Sequence, residues 1–263
     1  MDLNIGGVTL CDVIKFQTRI LFGAQYGRIE YAKNNNNPDE LILACLRVGW
    51  TNAFRHASEN QKGVETAVRE YMDCNDILDD EYSIKRGKIA HKTGRRIFDE
   101  YFCSVLLNSC AVDTYKKYAS ARSTDERCKI VQDSLAQLNT DFKKVKKEIR
   151  FGHIQKMFNI ASKFYLCLYL CKDFLEIGDG LFCKEIVSSL ETADCPVDSI
   201  IIDRLEQKAM EEKGVGEKHD LMYKDLKWSN LSTDNDIEAY KCLQKAFKAG
   251  NKSSLCFDFA EWN

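Results

Sequence analysis

The chain has 263 residues, 44% hydrophobic and 30% charged, a balance that excludes a disordered protein and leaves room for a sizeable core. A net charge of −2 excludes nucleic-acid binding by total charge, so any such binding has to come from a local patch. Only 2 prolines occur, which disfavours a loop-rich or β-sandwich chain and favours long helices.

The 12 cysteines raise the question of a disulfide framework. A chain this long and apolar does not need such staples. Met1-Asp2-Leu3-Asn4 has neither the basic nor the apolar region of a secretory leader. Reduced, mostly buried thiols in a cytoplasmic protein are expected. The longest apolar run, 164–171, is too short for a membrane span, so no membrane partner is expected.

Residues 1–33 mix short apolar runs with glycines, and strand structure near 1–10 stays open. Asn34-Asn35-Asn36-Asn37-Pro38 reads as a loop. Asp39 is the expected N-cap of a helix over 41–54. Helical periodicity recurs over 63–74, 95–118, 124–149, 154–172, 198–212 and 234–248. Residues 213–218, with two glycines, read as a surface loop, and strand structure over 253–262 also stays open. The expected fold class is all-α, a helical bundle divided into an N-terminal lobe, 1–120, and a second lobe with a C-terminal tail, 121–263.

Two segments carry chemistry. In the first, Ile154, Met157, Phe158, Ala161, Phe164, Tyr165 and Leu168 define an apolar helix face, while Lys156, Asn159 and Lys163 fall on another. A helix start at 154 puts Lys156 in the first turn, where the positive end of the helix dipole disfavours an ammonium and favours a nucleophilic amine. Upstream, Lys143, Lys144, Lys146, Lys147 and Arg150 read as a basic helix ending at a turn at Gly152-His153. Two helices joined by such a turn can aim backbone N–H groups at a phosphate. An ordinary solvated helix face would show the same charge pattern.

The second segment is Cys195-Pro196-Val197-Asp198-Ser199-Ile200. Pro196 fixes the approach, and Asp198 or Ser199 is placed to cap the helix from Ile200. A lysine and an aspartate at two helix mouths sharing one cleft are the minimal equipment for attack on a sugar carbon. The amine is the nucleophile, and the carboxylate steadies developing positive charge.

The two segments together resemble the helix-hairpin-helix DNA glycosylase superfamily, which includes endonuclease III and the 8-oxoguanine DNA glycosylases. Gly152 followed four residues later by Lys156 matches that family's hairpin and catalytic lysine, and Pro196-Val197-Asp198-Ser199 looks like its catalytic aspartate turn. The resemblance covers roughly 140–210. It implies two helical lobes around a cleft, double-stranded DNA as partner and excision of a damaged or modified base. Lys156 would be the Schiff-base nucleophile, with an optional lyase step, and Asp198 its partner. Lys143, Lys144, Lys146, Lys147, Arg150, Gly152 and His153 would contact DNA. The chain departs from the family pattern in lacking Gly-x-Gly around Gly152 and in carrying Ser199-Ile200 where Thr-His is usual. The interval between lysine and aspartate is nearer that of the archaeal 8-oxoguanine glycosylases. No four-cysteine cluster follows Asp198, so no iron–sulfur cluster or other cofactor is expected.

Three further patterns stand beside these segments. Arg86-Gly87-Lys88-Ile89-Ala90-His91 has the Arg-x4-His form of HEPN-type ribonucleases, though Gly87 stands where that motif usually has a polar residue. A non-catalytic DNA-binding protein on the same scaffold is the other alternative. Cys167, Cys171, Cys183 and Cys195 lack paired zinc-ligand spacing, so no metal site is expected. Trp228 and the aromatic residues of 255–262 read as core-docking groups, with a base-stacking wall as the functional alternative.

Overall fold

A computed structural model describes residues 4–5, 8–54, 60–74, 82–85, 88–91, 103, 110–213, 227–249 and 254–261. The described residues are dominated by α-helix, with two short antiparallel hairpins. In the first, β1 (Asn4–Ile5) pairs with β2 (Val8–Thr9). Thr9 then caps α1 (Leu10–Phe22): its hydroxyl oxygen accepts from the Asp12 N–H, and the Asp12 carboxylate accepts from the Thr9 N–H at 3.0 Å. A 3-10 turn, Gly23–Gln25, leads into α2 (Tyr26–Asn35) and then α3 (Pro38–Ala53). The cap of α3 is Asn37, not Asp39: the Asn37 side chain accepts from the Asp39 N–H at 3.1 Å, and Pro38 fills the first helical position.

Next come α4 (Gln61–Cys74) and a second hairpin, β3 (Tyr82–Lys85) with β4 (Lys88–His91), in a stretch where no strand was expected. Of the helix expected over 95–118, residues 103 and 110–118 are described, and the last of these belong to α5 (Ala111–Ser120). The chain continues through α6 (Thr124–Phe142), α7 (Phe151–Leu170), α8 (Lys172–Leu175), α9 (Lys184–Ser189), α10 (Ser199–Lys213), α11 (Asp234–Lys248) and α12 (Ser254–Glu261). The C-terminal segment, open to a strand reading, is the helix α12. No helix among the described residues is long and apolar enough to cross a membrane.

The expected helix over 124–149 stops at Phe142, so the basic stretch 143–150 is a connector and not a helix. Lysines favour helix in isolation. Tertiary contacts override that preference here. Val145 and Ile149 turn inward and are buried. The Asn60 amide donates to the Lys143 carbonyl at 2.9 Å, and the Asn60 N–H donates to the Val145 carbonyl at 3.1 Å. These bonds take carbonyls that a continued helix would have used.

The core is built on α3 and α7. Every residue from Leu41 to Trp50 and from Phe151 to Ser162 is buried. A Cβ at Gly49 would overlap the Met157 carbonyl oxygen, so glycine lets the two backbones approach closely at their crossing. Each large apolar side chain sealed here contributes roughly 1.5–3 kcal/mol.

A polar network runs through this core. Tyr118 donates to the Asn159 side-chain oxygen at 2.6 Å. The Asn159 amide reaches Gln155 at 2.9 Å, the Cys195 carbonyl at 3.1 Å and Tyr240 at 3.0 Å. Tyr240 donates to Asp194 at 3.3 Å, and Asp194 pairs with the buried guanidinium of Arg127 at 3.3 Å. Arg127 also donates to the Thr192 carbonyl at 2.7 Å. Burying such groups is costly unless each finds a partner, and here they partner one another.

Candidate functional site

The α7 helix begins at Phe151, three residues earlier than its periodicity suggested, so Lys156 lies in the second turn. Asp198 immediately precedes Ser199, the first residue of α10. One of its carboxylate oxygens, Oδ1, accepts from the Ile201 N–H at 3.0 Å and caps the helix. The other, Oδ2, lies 3.6 Å from Lys156 Nζ, the separation of an ion pair and not of a close hydrogen bond. The structure therefore brings together the two residues singled out as nucleophile and carboxylate.

Trp228, on the 3-10 turn Trp228–Asn230, completes the site. Lys156 Nζ sits 4.0 Å from the centre of its indole ring, a cation–π contact. Lys156 is only 8% exposed. Burial holds its pKa below the ordinary lysine value, while the Asp198 carboxylate opposes that shift. The helix dipole that the sequence suggested is not the leading cause. No local pattern around Lys156 points to Trp228, because the two residues are far apart in sequence and meet only through tertiary approach.

The residues expected to grip phosphate divide into two groups. Lys143, Lys144 and Lys147 are exposed. Lys146 is buried, and its ammonium donates to the Phe54 carbonyl at 3.2 Å. Arg150 forms a fork with the Glu148 carboxylate at 2.8 and 2.9 Å and reaches the Asn230 side chain at 3.0 Å.

Gly152 and His153 also face inward. The Gly152 N–H donates to the Leu231 carbonyl at 3.1 Å, so that donor is not free for a phosphate. His153 stacks on Phe54 at 5.2 Å and meets the edge of Trp228 at 5.8 Å. Its Nδ1 accepts from the Arg150 N–H at 3.3 Å, and burial lowers its pKa to about 4.

Asn159 and Lys163 do not form a solvent-facing stripe with Lys156. Asn159 belongs to the buried network, and Lys163 pairs with the buried Asp258 of α12 at 2.6 Å, with the Phe259 ring 4.9 Å away. Arg86 lies outside the described residues, and of His91 only the strand backbone is described, so the arginine–histidine motif gains no geometry. Among the described residues, no group of three or more histidines, cysteines or acids could hold a metal ion. Burial pushes the Cys167 thiol up to about 11 and raises those of Cys171, Cys183 and Cys195, which keeps all four protonated.

Comparisons with protein-family models, with curated proteins and with solved structures find no match to this chain.

Proposed function

We propose that this protein excises a damaged or modified base from double-stranded DNA, as a glycosylase of the helix-hairpin-helix kind. The observation that carries the reading is the 3.6 Å approach of Lys156 Nζ to the carboxylate of Asp198. The second turn of α7 and the mouth of α10, far apart in sequence, bring these two side chains together. Side chains pointing to opposite surfaces would have removed the basis for the reading.

In the proposed reaction one nucleotide leaves the duplex and enters the site. The bond from C1′ to the base breaks, and the base leaves with the bonding electrons and takes up a proton. Positive charge builds on the sugar ring, where the Asp198 carboxylate stabilises it. The neutral Lys156 amine bonds to C1′. Ring opening then gives a Schiff base, from which strand cleavage can follow. The lowered pKa of Lys156 supports the role, because it raises the fraction of free amine at neutral pH. The Trp228 ring now occupies one side of the ammonium, so the sugar has to approach from another side or displace the indole.

The test is borohydride trapping on duplexes carrying a panel of lesions and abasic sites. A covalent protein–DNA species is expected with the native chain and not with Lys156→Ala. Equal trapping by the variant would remove Lys156 from the reaction. A protein that binds duplex and never traps would be a non-catalytic DNA-binding scaffold.

A further inference from the structure

We infer that Gln244 is a positioning residue for the proposed reaction, because its side-chain amide clamps both backbone groups of Cys195 and so sets the turn that delivers Asp198 to Lys156. This rests on the reading of the Lys156–Asp198 pair given above. Gln244 lies on α11 and is completely buried, on a helix face otherwise formed by Ile237, Tyr240, Leu243 and Phe247. Packing alone does not call for an amide at such a position, since an unpartnered one would be strongly unfavourable. Its side-chain oxygen accepts from the Cys195 N–H at 2.8 Å, and its side-chain nitrogen donates to the Cys195 carbonyl at 2.9 Å.

Two bonds to one residue fix orientation as well as position, whereas a single bond would leave a hinge. The Asn159 amide adds a third bond, at 3.1 Å, to the same carbonyl. From Cys195 the chain reaches Asp198 through Pro196, whose ring locks one backbone dihedral, and Val197, which is fully buried. Little freedom remains between the clamp and the carboxylate. The main-chain oxygen of Gln244 also accepts from the Ser254 hydroxyl at 2.9 Å, which ties the start of α12 to the same point.

The experiment follows the titration of Lys156 by NMR in the full, DNA-free chain with isotope-labelled lysine. Gln244→Asn shortens the clamp, and Gln244→Met keeps its length while removing both bonds. The second variant serves if the first does not fold. Asp198→Asn should lower the Lys156 pKa by roughly one unit, the scale of losing an opposite charge a few ångströms away. The Gln244 variants should shift it in the same direction, and should add no shift once Asp198 is already asparagine.

A folded Gln244 variant with an unmoved Lys156 titration would overturn the inference. So would a shift of equal size with and without the Asp198 carboxylate, which would indicate a merely structural role. Borohydride trapping on the same proteins separates this inference from the proposed function. A native chain that never traps overturns the glycosylase reading and leaves the titration to decide the clamp. A native chain that traps, with an unmoved titration in the variants, overturns the clamp alone.

Discussion

The backbones of Gly152 and Trp228 lie so close that no side chain fits between them: a Cβ at position 152 would overlap the Trp228 carbonyl oxygen. The same turn of α7 donates to the Leu231 carbonyl at 3.1 Å, so the Trp228–Leu231 segment is held to the start of the lysine helix. This glycine, whose place in the sequence suggests a phosphate-gripping turn, packs against the segment that carries the indole over Lys156.

Gly152→Ala is accordingly expected to destabilise the fold by about 1–3 kcal/mol, the usual cost of overfilling a packed interior. The displaced segment should take Trp228 off the lysine. Urea denaturation reads the first effect, and tryptophan fluorescence, shifted to longer wavelength, reads the second. An unchanged midpoint and spectrum would contradict the close approach.

Asp198 has two tasks, one for each oxygen, and two substitutions separate them. Asp198→Asn keeps a competent cap, so its effect on stability should stay near the roughly 1.4 kcal/mol that a one-unit fall in the Lys156 pKa represents. It removes the negative charge, and excision should slow by roughly a hundredfold or more, the scale of one preorganised electrostatic contact. Asp198→Ala should lose both the rate and the cap. Single-turnover kinetics and thermal unfolding on the pair test the division. A stable Asp198→Asn protein with an undiminished rate would return Asp198 to capping alone.

The four lysines before α7 should not behave alike. Neutralising exposed Lys143, Lys144 or Lys147 should reduce the slope of log affinity against log salt by about one unit per lost phosphate contact. Stability should stay within about 0.5 kcal/mol for each change. Lys146→Ala should cost about 1–3 kcal/mol by stranding the Phe54 carbonyl, with the salt slope unchanged. If all four variants shift the slope equally, the inward course of Lys146 is wrong.

His153 predicts an acid weakness. Its pKa is lowered from 6.5 to about 4 in the folded protein, with burial the leading cause. Between those values the unfolded chain binds more protons than the folded one, so stability falls as pH falls through that window. The loss between pH 7 and pH 5 should be on the order of 2 kcal/mol from this residue. His153→Gln, which cannot titrate, should remove that part of the pH dependence. Denaturation midpoints at the two pH values decide it.

The sequence revealed those parts of the fold that depend on local signals. The α11 helix spans the residues expected of it, 234–248, because Thr233 and Asp236 form a capping box and its apolar residues recur at helical spacing. Asp198 was legible as a cap because capping depends on short-range chemistry. The end of α6 was not, because Asn60, distant in sequence, captures the carbonyls of Lys143 and Val145. The β3–β4 hairpin has a trace in the sequence, two short runs separated by two residues, a spacing that suits antiparallel pairing. The partners that complete the site, Trp228 over Lys156 and Gln244 behind Cys195, depend on tertiary approach. Neither has a spacing that announces it.

Asn159 acts as a registration pin for the central helix. Its amide meets groups carried by α5, α11 and the irregular run before α10, so only one setting of α7 satisfies all of them. A slip by one residue would move the pin about 1.5 Å along the axis and about 100° around it, leaving several polar groups stranded in a dry interior. An apolar substitute could fill the same volume and would accept neighbouring settings almost equally well. The placing of Lys156 beside Asp198 is thereby inherited in part from a residue whose own side-chain hydrogen bonds go elsewhere.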